Sequence, residues 1–144
     1  MIKLQGLASH LLIVTGVVIG LGASAHADVC RNVEFTVQNN KNTKIKATSI
    51  EYKFENDNTW RTQGFTDDEV GAFSFEAVAG GEDLTGGEGN RMVALKLHFK
   101  AWCGGKWSVP FVSQEDTQFD DTSTCQSNSG RSYRIDLPSS DVCD

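Results

Sequence analysis

The chain has 144 residues, 39% of them hydrophobic, with 13 basic and 19 acidic side chains and a formal net charge of −6. That length suits one domain of ordinary size with a real apolar core. The charge has the wrong sign for a generic nucleic-acid binder, and no internal repeat or linker composition divides the chain.

The first residues, MIKLQGLASHLLIVTGVVIGLGASAHA, set Lys3 before an apolar run from Leu11 to about Leu21 and end in Ala25-His26-Ala27. This is the layout of a cleavable secretory signal over 1–27, of the bacterial export type, and it is too short for a spanning helix. A lipid anchor is not expected, because Cys30 stands behind Asp28 and Val29 and not directly after the small residues. Residues 28–144 are read as a single domain, periplasmic or secreted.

The remainder is a series of β-branched and aromatic runs broken by Asn, Asp, Gly and Ser clusters, the pattern of an all-β sandwich or barrel. VEFTVQ alternates Val33, Phe35 and Val37 on one face, and NNKN turns the chain. TKIKATSIEYKF puts Ile50, Tyr52 and Phe54 on one face while Ile45 has the opposite parity, which predicts a bulge or a change of sheet between them. ENDNT is a turn, Trp60 begins a third strand, and AFSFEAV gives a fourth with Phe73, Phe75 and Ala77 alternating. AGGEDLTGGEGN, rich in glycine and acid, reads as a mobile surface loop.

RMVALKLHFKAWC is the clearest strand. It places Val93, Leu95, Leu97, Phe99 and Ala101 with Cys103 toward the core, and Ala94, Lys96, His98, Lys100 and Trp102 on the other face. Gly104-Gly105 is a two-residue hairpin turn, since both positions can take positive φ without a side-chain clash. Trp107, Val109 and Phe111 continue on the return strand, which Pro110 assigns to a sheet edge. After a long polar loop, RSYRIDLP closes the fold with Tyr133, Ile135 and Leu137 inward. About seven antiparallel strands result, which favours an immunoglobulin-like or related sandwich.

Four cysteines in an exported chain imply two disulfides with three possible connectivities. The favoured pairing joins Cys30 to Cys143, tying the two termini, and Cys103 to Cys125, tying a loop to the hairpin. No second cysteine lies close enough to Cys103 for a redox or zinc pair.

Catalytic signals are weak. His10 and His26 belong to the signal, so His98 is the sole histidine of the domain, expected as an exposed imidazole between Lys96 and Lys100. No nucleophile-elbow motif supports a Ser-His-Asp site with Ser108 or Ser113. Carboxylate pairs of the kind a glycosidase needs occur at Asp67-Asp68-Glu69, Glu115-Asp116 and Asp120-Asp121, all in polar surroundings that would not raise one acid's pKa. No metal site is assigned. Calcium stays open as a cofactor, because EDLTGGEGN and QEDTQFDD offer oxygen ligands without matching a known calcium-loop spacing. Trp60, Trp102 and Trp107 are candidate contact aromatics.

Charge is segregated. Residues 66–90 hold seven acids and no base, and 91–107 hold Arg91, Lys96, Lys100 and Lys106 and no acid. The functional expectation is an exported non-catalytic protein-binding module, an inhibitor or immunity protein that blocks a toxin or cell-wall-degrading enzyme. The expected contact surface comprises Glu82, Asp83 and Glu88 in one loop, Glu115, Asp116, Asp120 and Asp121 in another, and Lys100 with Trp102. A glycan-binding or calcium-dependent adhesive domain is the first alternative and a small secreted hydrolase or toxin the second. The partner's identity and the oligomeric state are not legible, and a two-fold dimer through a free sheet edge stays open.

Overall fold

The computed structural model describes residues 29–56, 58–117, 119, 124–125 and 130–143. They form an all-β, two-sheet sandwich of eight strands: β1 (Val29–Asn39), β2 (Ile45–Phe54), β3 (Arg61–Val70), β4 (Phe75–Thr85), β5 (Met92–Cys103), β6 (Lys106–Trp107), β7 (Phe111–Val112) and β8 (Arg131–Leu137). One sheet has the order β4-β1-β8, and the other β3-β2-β5-β6 with β7 also on β5. Among these eight strands every pairing is antiparallel except β1 with β8, which is parallel. No helix among the described residues is long and apolar enough to cross a membrane.

Alternation drives the strands into these layers. Val33, Phe35 and Val37 from β1, and Tyr133, Ile135 and Leu137 from β8, meet Ile50, Tyr52, Phe54, Leu95, Leu97 and Phe99 from the facing sheet, all buried. The parity conflict in β2 resolves as a bulge: the register slips between Ala47 and Ser49 against both neighbours, so Ile45, Ala47 and Ile50 all face inward. A second slip, opposite Lys53 and Phe54, buries Met92 and Ala94 and leaves Val93 only half-buried, against the even-odd division expected there. Gly104 and Gly105 form the two-residue hairpin turn, at φ of 57° and 84°.

The return strand is interrupted between β6 and β7, and two serines bridge the gap. Ser108 Oγ accepts from Ala101 N at 3.0 Å, and Ser113 Oγ accepts from Leu97 N at 2.9 Å. Side-chain hydroxyls thus serve β5 donors where the return strand breaks around Pro110. Val109 is left exposed, not aligned with a core face.

Two expectations are overturned. AGGEDLT is not a loop but the second half of β4, paired with β1 through three register shifts, with Leu84 fully buried. Gly81 takes a φ of 76° there, so the glycines serve a bulged edge strand and not a mobile segment. Phe73 and Phe75 point to solvent, and Val78 and Leu84, of the opposite parity, carry the strand's buried side chains.

The disulfide pairing is also exchanged. Cys30 bonds Cys125 and Cys103 bonds Cys143, with Cα–Cα distances of 5.5 and 5.3 Å. The parallel β1–β8 pair is the reason. Cys30 lies at the start of β1 and Cys143 follows β8, so parallel strands carry these residues to opposite ends of the sandwich.

Candidate functional site

The turn after β1, residues 40–44, organises one end of the sandwich. Asn39 is fully buried, and its side-chain NH₂ donates to Thr43 O at 2.9 Å and to Gly71 O at 2.8 Å, while its Oδ1 accepts from Lys41 N at 3.1 Å. An asparagine folding back on its own turn is a familiar local solution. Here it also stitches that turn to the β3–β4 connection. Lys41 is 3% exposed. Its Nζ donates to Pro138 O at 2.9 Å and Ser140 O at 3.0 Å, fixing the tail that carries Cys143. Burial pushes the Lys41 pKa below its ordinary value, with the Asp141 carboxylate partly opposing the shift.

Two aromatic residues hang from this turn. Phe73 N donates to Lys41 O at 3.2 Å, and Trp102 N donates to Lys44 O at 3.0 Å. Phe73 adopts a φ of 53°, a left-handed conformation that is an outlier for a bulky side chain, yet it is 69% exposed. Its loop is held on both sides. Asn39 N donates to Ser74 O at 2.8 Å, and the Glu76 carboxylate accepts from Ser74 Oγ at 2.7 Å and Gly71 N at 3.1 Å. Those two hydrogen bonds keep the Glu76 pKa below the usual glutamate value. Trp102 meets Trp107 edge to face at 5.1 Å across the hairpin.

The expected contact residues do not form one surface. Glu82 and Asp83 stand on β4, with Glu82 accepting from Gln63 Nε2 at 2.8 Å and Asp83 exposed. Glu88 is exposed in a loop clamped to Cys125, where Gly89 N donates to Cys125 O at 2.7 Å and Cys125 N to Asn90 O at 2.8 Å. Glu115 is exposed, and Asp116 exchanges two backbone hydrogen bonds with Leu95. Asp120 and Asp121 lie outside the described residues. Lys100 and Trp102 belong to the other end of the molecule, since Met92 and Trp102 bracket β5 and stand about 33 Å apart at the usual rise per residue. The structure therefore joins the 86–90 loop to Cys125 but separates both from Trp102.

His98 is half-buried, not exposed. It stands opposite Ser49 and Val112, and its Nε2 lies 3.1 Å from Glu51 Oε1. Of the two stretches offering calcium ligands, the first is partly strand. Among the described residues no three His, Cys, Asp or Glu side chains converge as a metal-binding group. The sequence does not single out Phe73, Asn39 or Lys41 as site residues. The parity of Val78 and Leu84 against Phe73 was the available signal for the first. Nothing local marked the other two.

Comparison with protein-family models, with curated proteins and with solved structures finds no significant match to this chain.

Proposed function

We propose that the protein is an exported, non-catalytic binding module of the inhibitor or immunity kind, which blocks a secreted toxin or cell-wall-degrading enzyme. The observation that carries the reading is Phe73. A solvent-exposed aromatic side chain in a left-handed turn, held by hydrogen bonds from a buried asparagine, is a pre-positioned anchor. Backbone strain of this kind costs about 1–3 kcal/mol and clusters at functional sites. An aromatic anchor seated in a partner's pocket contributes on the order of 2 kcal/mol or more, and a rigid one loses little conformational freedom on binding. Trp102, hung from the same turn, supplies a second anchor. The acidic side chains at the far end, Asp83 and Glu88, act at a distance by steering a basic partner toward the domain.

The test is capture by the oxidised protein from envelope and secreted fractions, repeated with Phe73→Ala and Trp102→Ala. The reading expects one stoichiometric protein partner, released by Phe73→Ala and captured more slowly as salt rises. Capture that survives both substitutions, or recovery of wall fragments alone, rejects it.

A further inference from the structure

The outer face of the five-stranded sheet carries lysine and tryptophan along its whole length. Lys96, His98, Lys100 and Trp102 project outward from β5, because the residues between them, Leu97, Phe99 and Ala101, are buried. Lys46 lies opposite Lys100 and Glu51 opposite Lys96, and directly opposed residues of an antiparallel pair share a face. At one end Lys44 Nζ stands 4.9 Å from the Trp102 ring centre, and Lys46 Nζ stands 4.8 Å from that of Trp107. At the other end two ammonium groups converge on a single indole: Lys96 Nζ is 3.9 Å and Lys53 Nζ 5.0 Å from the centre of Trp60.

Lysine stems commonly lie along aromatic rings while their heads stay wet. That explains Lys44 and Lys46, which also have carboxylate partners in Glu69 at 2.8 Å and Asp67 at 3.7 Å. The Trp60 cluster has the same lysine-over-indole geometry but no such carboxylates. Glu51 is the register partner of Lys96, yet its carboxylate sits 3.1 Å from His98. Among the described residues, no carboxylate lies within ion-pair distance of Lys53, Lys96 or Lys100. A chain with an excess of acid thus gathers three cations without a carboxylate partner on one face, two of them converging on the Trp60 ring, where an anion would relieve the repulsion between that pair.

We infer that this face binds an acidic polysaccharide. Its carboxylates would be received by Lys53, Lys96 and Lys100, and its sugar rings would lie against Trp60 and the Trp102–Trp107 pair. A sheet face fits an extended polymer, and the apolar side of a sugar suits an indole. The charge density favours a sparse polyanion. The cations spread over about 20 Å of strand, whereas duplex DNA carries one charge per about 1.7 Å and would be repelled by the acidic remainder of the domain. The surface shares Trp102 with the proposed protein contact but excludes Phe73, so its test reads Trp60, Lys53 and Lys96, which that contact does not use.

Titrating ¹⁵N-labelled, oxidised protein with an oligogalacturonate supplies that test. A neutral oligosaccharide of equal length, single-stranded DNA and anionic phospholipid vesicles are run alongside. The expected result is a shift of the Trp60 indole N–H and of the β2 and β5 amides around Lys96, with the oligogalacturonate only. Affinity should fall about tenfold in a Lys53→Gln/Lys96→Gln variant and stay unchanged in Phe73→Ala. No shift, equal binding of the neutral sugar, an unaffected double variant, or a preference for DNA or vesicles would overturn the inference.

Discussion

At one end of the sandwich Cys30 and Cys125 are both fully buried, and Gly87 packs so closely that a Cβ there would fall 2.4 Å from Phe54 and 2.6 Å from Cys30. At the other end Cys143 is exposed, and a Cβ on Gly104 or Gly105 would meet nothing within 4 Å. The first end is closed by packing. The second is held by polar stitching through Asn39 and Lys41, and it displays Phe73 and Trp102. A disulfide inside a core and a disulfide at a rim thus do different work: one completes the apolar interior, while the other fixes a tail so that a turn can present side chains.

The largest expected effect that sharpens this contrast is on stability. Replacing Cys30 and Cys125 by alanine should cost about 4–5 kcal/mol from loop closure over a separation of 95 residues, with cavity terms added. Replacing Cys103 and Cys143, 40 residues apart, should cost about 4 kcal/mol or less. Urea midpoints of the two variants give the order, and thiol trapping under mild reductant should capture Cys143 before Cys30. Simultaneous trapping would erase the distinction between the ends. Next in size, Gly87→Ala should destabilise by about 1–3 kcal/mol through overpacking. Gly104→Ala should cost about 1 kcal/mol from its positive φ alone.

Phe73→Gly should raise stability by about 1 kcal/mol, by relieving the left-handed conformation, while abolishing partner capture. A stability loss there would show that Phe73 packs, and would remove it from the proposed contact. The smallest effect concerns Lys41. Its folded pKa is depressed below that of the unfolded chain, so protonation favours unfolding, and the penalty is fully present below the folded pKa. As pH rises from there toward the unfolded value near 10.5, wild type should gain stability relative to Lys41→Met. Urea midpoints of the two proteins across mildly alkaline pH measure this gain. A constant difference would contradict the burial of the charge.

Much of the fold was legible because apolar residues alternate over 33–37 in β1, 95–101 in β5 and 133–137 in β8, and because Ile45 and Ile50 have opposite parity, which a bulge alone reconciles within one strand. The second half of β4 was not, because Gly80 and Gly81 resemble loop residues unless the chain pairing them is known. The disulfide pairing departs from expectation for a related reason: that β1 and β8 run parallel is a long-range fact without a local signature. Trp102 lies on the outer face that the alternation of β5 predicts. Its neighbours at the site, Phe73 and Lys41, were invisible because a phenylalanine in a left-handed turn and a lysine in a buried one both run against residue preference. Such departures are where tertiary structure overrules local propensity.

The connectivity of the bridges bears on how the chain is made. In order along the sequence, the first cysteine joins the third and the second joins the fourth. For a chain threaded amino end first into an oxidising compartment, Cys103 reaches Cys30 before Cys125 does, so the earliest encounter is a mismatched one. Reaching the native pairs then requires exchange through a mixed disulfide, which proceeds by thiolate attack. A producing cell that oxidises quickly but reshuffles slowly would accumulate scrambled isomers, and recombinant yield should track isomerase supply more than oxidant strength.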